Sequence, residues 1–176
     1  MKSKAVERII LQVFLSLALF LSPPGKAFGL GGELYGVRVE KGVAAPMRDG
    51  VRLSADVFRP DAPGRFPVIL IRTPYDKEAY GKYSSFPDHA AKKGYVVIVQ
   101  DVRGRYGSEG GFIPYAQEIE DGYDSVEWAA ALPYSNGKVG TQGCSYLGAV
   151  QWQLATAAPP HLVAIFPQCT FANARH

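Results

Sequence analysis

Apolar and polar positions along the chain fall into runs of four kinds. Ile9 to Leu21 (IILQVFLSLALFL) is continuously apolar. YGVRVEKGVAAP and VRLSADVFRP alternate, and the intervening MRDG holds the hairpin-forming pair Asp49–Gly50. Both stretches predict half-exposed antiparallel strands. FPVILIRTP, YVVIVQD and LVAIFPQ are nearly unbroken apolar runs, the pattern of parallel strands covered on both faces. GKVGTQG is read as a further strand, mainly because a helix follows it.

Helical periodicity lies between these runs. SFPDHAAKKG ends at Gly94, a C-terminal cap. QEIEDGYDSVEWAAAL puts Ile119, Tyr123, Val126 and Ala130 on one face, with Glu118, Glu120 and Asp121 in the first turn, where acidic side chains suit the helix dipole. A third helix runs from Ser145 through YLGAVQWQLATAA and is stopped by Pro159 and Pro160. Two strands followed by repeated strand–helix units predict an α/β fold: an antiparallel edge joined to a mostly parallel sheet with crossover helices. Reactive groups in such sheets collect at the carboxyl ends of the strands. Here those ends are Tyr75, the Asp101–Gly111 loop, Ser145 and the segment after Gln168.

The first apolar run stands apart from this domain. Lys2, Lys4 and Arg8 precede it, Ser22, Pro23, Pro24 and Gly25 follow, and small residues stand at Ala27 and Gly29. This is the pattern of a secretory signal peptide over residues 1–29, cleaved near Gly29, which leaves 30–176 as the domain and implies a secreted or periplasmic protein. An uncleaved anchor is the alternative, although the run falls short of the ~20 residues a span needs. The leader carries the whole formal charge of +3, so the domain is near neutral. No basic patch points to nucleic acid.

The two cysteines, Cys144 and Cys169, are too few for a disulfide framework and have no ligand-spaced neighbours for a metal. They read as small buried thiols. A bridge is open if their strands are neighbours.

Ser145 occupies the strand-to-helix junction of GTQGCSYLGAVQW. A sharp turn there lifts Oγ above the sheet, and the helix start aims its amides at the same point. Gly143 permits close backbone approach, and the Tyr146 amide can donate to an oxyanion. The strict G-x-S-x-G pattern fails, because Leu147 holds its final place and glycine arrives at Gly148. Cys144 is a rival nucleophile, but it lacks the glycine two places before it. His89, His161 and His176 are the histidines, none placed as a base, and no acidic residue follows Ser145. The rest of a triad is expected outside this chain.

PMRDGVRLSADVFRP, RTPYDK, DVRGRYGSEGGF and GCSYLGAVQW, in that order, resemble the CocE/NonD hydrolases, the cocaine-esterase-like and Xaa-Pro dipeptidyl-peptidase-like group of α/β-hydrolases. The resemblance covers about Val37 to the end. It implies the N-terminal part of an α/β-hydrolase fold, incomplete: the cap, the strands bearing Asp and His, and the C-terminal β-domain would be absent. It also implies Ser145 as acylating nucleophile, the Tyr146 amide as one oxyanion donor and the Tyr75 phenol as the second, with an exposed turn tyrosine as the other reading of Tyr75. Asp101 and Arg103 would pair to hold the DVRGRYGSEGGF loop.

The expected activity is serine hydrolysis of an ester or amide through an acyl-enzyme. Small esters, amides or short peptides would be the substrates, and no metal or organic cofactor is implied. Xaa-Pro dipeptidyl-peptidase and acyl-amino-acid ester hydrolase activities both fall within the family's range. The alternative is a truncated, catalytically silent α/β domain. A binding or scaffold role has no positive support.

Overall fold

The computed structural model describes residues 34–171; the predicted leader and His176 lie outside them. Six strands form one sheet in the order β1-β2-β4-β3-β5-β6. Strands β1 (Val37–Pro46) and β2 (Arg52–Pro60) form the antiparallel hairpin expected around Asp49–Gly50, and Gly50 takes the positive φ of 86° that the turn requires. β2 pairs antiparallel with β4 (Val96–Asp101). From there β4, β3 (Phe66–Thr73), β5 (Ser135–Cys144) and β6 (Leu162–Gln168) run parallel.

Four helices connect the strands. α1 (Lys77–Tyr83) and α2 (Phe86–Lys92) lie between β3 and β4, α3 (Glu118–Ala131) between β4 and β5, and α4 (Tyr146–Thr156) between β5 and β6. Alternate residues of β3 and β4 face opposite ways. Val68, Leu70, Val96 and Ile98 join Val126 and Ala129 of α3 and Leu154 of α4. Ile71, Val97 and Val99 join Ala90 of α2. The crossover β3→β4 therefore passes one face, and β4→β5 passes the other over β3. The winding direction reverses between β3 and β5, which opens a crevice at their carboxyl ends. Tyr75 follows one of those ends and Ser145 the other.

Four secondary-structure elements differ from the sequence pattern. β2 is not half-exposed: Leu53 to Val57 are all buried, because both faces are covered, Ala55 and Val57 joining Val126 and Ala129 of α3 and Asp56 lying against Lys77 of α1. β6 is not covered on both faces. It is the sheet's edge among the described residues, with Val163 61% and Phe166 59% exposed. α1 was not foreseen; Asp76 caps it, its Oδ1 accepting from the Glu78 amide at 2.9 Å.

The fourth difference concerns the inner face of α3. Ile119 is exposed, while Glu118, Asp121, Gly122, Ser125, Val126 and Ala129 are buried. Gly122 is needed there, since a Cβ would overlap the Leu154 side chain of α4.

Candidate active site

β5 ends at Cys144 and α4 begins at Tyr146, so the turn between them is Ser145 alone. Its φ of 62° and ψ of −122° are sparsely populated for a residue with a side chain and cost about 1–3 kcal/mol. The surroundings hold it there. The Ser145 amide donates to the Gln168 carbonyl at 2.9 Å, and its own carbonyl accepts from Gly148 and Ala149 at 3.0 and 2.9 Å. Gln151 fastens α4 to both flanking strands: its Oε1 accepts from Thr141 Oγ1 at 3.0 Å and from the Phe166 amide at 2.9 Å.

Two glycines make the close fit possible. A Cβ at Gly143 would overlap the Leu147 side chain, and one at Gly148 would lie 2.7 Å from Thr170 Cγ2 and 2.9 Å from the Gln168 carbonyl oxygen. The glycine one place later than the strict motif is thus the point where α4 meets the end of β6. Ser145 itself is exposed.

A cavity of about 520 Å³ lies in the crevice, walled by Thr73, Tyr75, Tyr80, Gly143, Cys144 and Leu147 among others. Ser145 and Tyr146 are not part of that wall, which holds Cys144 just before them and Leu147 just after. Tyr75 is 57% exposed, with its amide donating to Thr73 Oγ1 at 3.0 Å. Its ring stands edge-on to that of Tyr146, centroids 6.4 Å apart. The fold thus brings Tyr75, Ser145 and Tyr146 to one end of the sheet.

The Tyr146 phenol turns inward. It donates to Glu118 Oε1 at 2.8 Å and accepts from the Tyr115 amide at 3.1 Å, while its ring stacks on Tyr115 at 4.4 Å. Burial, reinforced by the Glu118 charge, pushes its ionisation well above the ordinary phenol range. As the first residue of α4, Tyr146 has an amide without an intrahelical acceptor, free for a ligand.

Beneath this end lies a buried polar network that sequence reasoning missed. Arg72 Nη1 donates to Glu118 Oε2 at 2.6 Å, and Arg72 Nε donates to Gln100 Oε1 at 3.0 Å. Ser125 Oγ also donates to Gln100 Oε1, at 2.9 Å. The available signal was Arg72 inside the apolar run VILIRTP, together with acidic residues at Glu118 and Asp121, three apart on one helix face.

Asp101 and Arg103 do not pair with each other. Asp101 accepts from the Lys77 and Gly107 amides at 2.8 and 3.3 Å, which ties the loop to α1. Burial raises its pKa, opposed by those amides and by Lys77. Arg103 instead donates to Asp121 at 2.6 and 2.9 Å and to Asp49 at 2.7 Å. The loop is held by α3 and the β1–β2 turn because the Arg103 side chain reaches across to them.

Neither described histidine serves Ser145. His89 is exposed on α2, and His161 binds Glu127 at 2.7 Å. His161 precedes β6 whereas Ser145 follows the parallel β5, which separates them by roughly 20 Å of strand. Cys144 and Cys169 are exposed and unbridged, contrary to the expectation of buried thiols. Cys144 ends β5 at the cavity wall and Cys169 follows the edge strand β6, so no described element covers either.

A family model described as X-Pro dipeptidyl-peptidase (S15 family) matches residues 49–176. The chain belongs to this family. The S15 chain is 42% identical over 138 residues to the cocaine esterase of Rhodococcus sp. (strain MB1 Bresler), covering 77% of this chain and 24% of that one. It is also similar to the crystal structure of a CocE/NonD family hydrolase from Staphylococcus aureus, with a TM-score of 0.67 and 31% identity over 83% of this chain and 32% of that chain. An α-amino acid ester hydrolase matches with a TM-score of 0.68 and 29% identity, over 86% and 28%. The S15 chain therefore has the α/β-hydrolase fold of an esterase- and peptidase-like group, and spans about a quarter of the length of the cocaine esterase it matches.

Proposed function

We propose that this S15 chain carries the nucleophile and oxyanion hole of a serine hydrolase acting on esters or amides. The observation that carries the reading is Ser145, an exposed serine held at φ 62° between β5 and α4, beside the crevice where the winding of the sheet reverses. Ser145 Oγ attacks the acyl carbonyl. The Tyr146 amide and the Tyr75 phenol stabilise the oxyanion, and the leaving group departs from an acyl-enzyme that water then hydrolyses.

The base and its acid partner come from sequence beyond this chain, which spans only a fraction of its relatives. Without them, triad enzymes keep only about 10³–10⁴-fold catalysis over water. Substrates are small esters, acyl amides or short peptides, Xaa-Pro dipeptides and acyl-amino-acid esters among them. Export through the leader over residues 1–29 places the enzyme outside the cytoplasm. The second reading, a catalytically silent domain, is favoured by one observation: neither described histidine stands near Ser145.

Reading the source genome past the His176 codon separates the two. An open frame supplying an acid and then a histidine supports the hydrolase. A stop codon there supports the silent domain. In the protein from an open frame, fluorophosphonate should label Ser145 and leave Ser145→Ala unlabelled; an unlabelled wild type refutes the nucleophile.

A further inference from the structure

Cys144 and Cys169 stand at the carboxyl ends of two neighbouring parallel strands. Cys144 is in register with Gln168, one residue before Cys169. Neighbouring strands lie about 4.8 Å apart and each residue rises about 3.3 Å, which sets the two Cα atoms roughly 6 Å apart. That lies within the span a disulfide bridges.

In a regular strand Cys169 would point to the opposite face from Gln168 and Cys144. It does not continue the strand: its φ is 46°, and β6 stops at Gln168. The change of backbone direction turns its thiol back towards Cys144. Cys169 stands near enough to Cys144 to raise its pKa. Both cysteines are exposed and unbridged, so a small oxidant reaches them.

We propose that Cys144 and Cys169 are a redox couple, a dithiol that closes to an intramolecular disulfide across the ends of β5 and β6. The oxidant is a small disulfide such as oxidised glutathione. One cysteine thiolate attacks a glutathione sulfur and expels a glutathione thiolate. The second thiolate then attacks the mixed disulfide and expels the other. Two electrons pass from the cysteine sulfurs to glutathione, and two protons leave the thiols.

The bridge spans Ser145, whose amide already binds the Gln168 carbonyl, and it lies beside the contact of Gly148 with Thr170. Closure fixes the Ser145 turn to the segment after β6 covalently. Cys144 and Gln168 also line the 520 Å³ cavity, so one thiol of the couple lies in its wall. None of this depends on Ser145 being a nucleophile.

The test treats the full chain with oxidised glutathione, traps remaining thiols by alkylation and maps peptides without reduction. The expected product is one linked pair of peptides holding Cys144 and Cys169, reopened by dithiothreitol. It should form at least tenfold faster in the native chain than in urea, because the fold holds the sulfurs together. Cys169→Ala should leave Cys144 as a glutathione adduct. Separate glutathione adducts on both wild-type cysteines, a link between two molecules, or equal rates in native and unfolded chains would each overturn the proposal.

Discussion

Glu118 is the side chain whose loss the structure predicts most sharply. Both of its oxygens accept: Oε2 from Arg72 Nη1 at 2.6 Å and Oε1 from the Tyr146 phenol at 2.8 Å. Glu118→Gln preserves shape but must turn an NH2 towards one of these donors. Tyr146 can reverse its hydroxyl and accept. Arg72 cannot, and at 2% exposure it is left as a buried charge without its counter-ion. Breaking a buried pair in this way costs about 3–5 kcal/mol.

With a urea dependence of about 1–3 kcal/mol per M, the unfolding midpoint should fall by about 2 M. The control is Glu109→Gln, which breaks the exposed pair with Arg52 and should cost under about 1 kcal/mol. Arg72→Met with Glu118→Leu removes both charges and should recover most of the loss. The assay is equilibrium urea unfolding followed by tryptophan fluorescence. Equal midpoints for Glu118→Gln and Glu109→Gln would refute the argument, since the buried pair would then be no stronger than a surface one.

Three further outcomes follow from the same geometry. Ser145→Gly relieves the backbone strain at φ 62° and should raise stability by about 1 kcal/mol in the same assay; no gain would mean the turn is unstrained. Gly148→Ala places a Cβ 2.7 Å from Thr170 Cγ2 and should lower the thermal midpoint, while Gly42→Ala meets no atom within 4 Å and is disfavoured only through its positive φ. The larger loss should be at Gly148. Burial raises the ionisation of the Tyr80, Tyr115, Tyr134 and Tyr146 phenols. Their contribution is full below the unfolded value of about 10 and is lost as pH climbs through the raised folded values, so stability should fall there. An ultraviolet tyrosinate titration should show these phenols ionising only with unfolding, and Tyr146→Phe should remove one of them.

The fold was legible where sequence pattern and burial coincide. The runs over β3 and β4 are apolar because both faces are covered, and the Asp49–Gly50 turn shows in its two residues. It was illegible where the two part. VRLSADVFRP alternates as an exposed strand would, yet Asp56 is buried and accepts from the Gly42 amide at 3.0 Å, so its polar position is not a surface position. Ile119 looked like core and is exposed, because the inner face of α3 carries Glu118, Asp121 and Ser125. Their partners Arg72, Arg103 and Gln100 are distant in sequence, and nothing local announces them. Ser145 itself was visible through Gly143 and the helix after it. The partners of Asp101 and Arg103 were not, since each is chosen by a tertiary contact.

The polar inner face of α3 determines how that helix can move. An apolar stripe on a sheet tolerates small rotations, because one hydrocarbon contact replaces another. Here the Arg72–Glu118 and Arg103–Asp121 pairs act as two pegs in fixed holes. A turn or slide of the helix would strand a buried charge before any new partner came within reach. Tyr146 is joined to the first peg, and Arg103 carries the second across to Asp49 in the β1–β2 hairpin turn. The start of α4 therefore shares one indexed position with a turn at the far edge of the sheet, and the parts hold or release together.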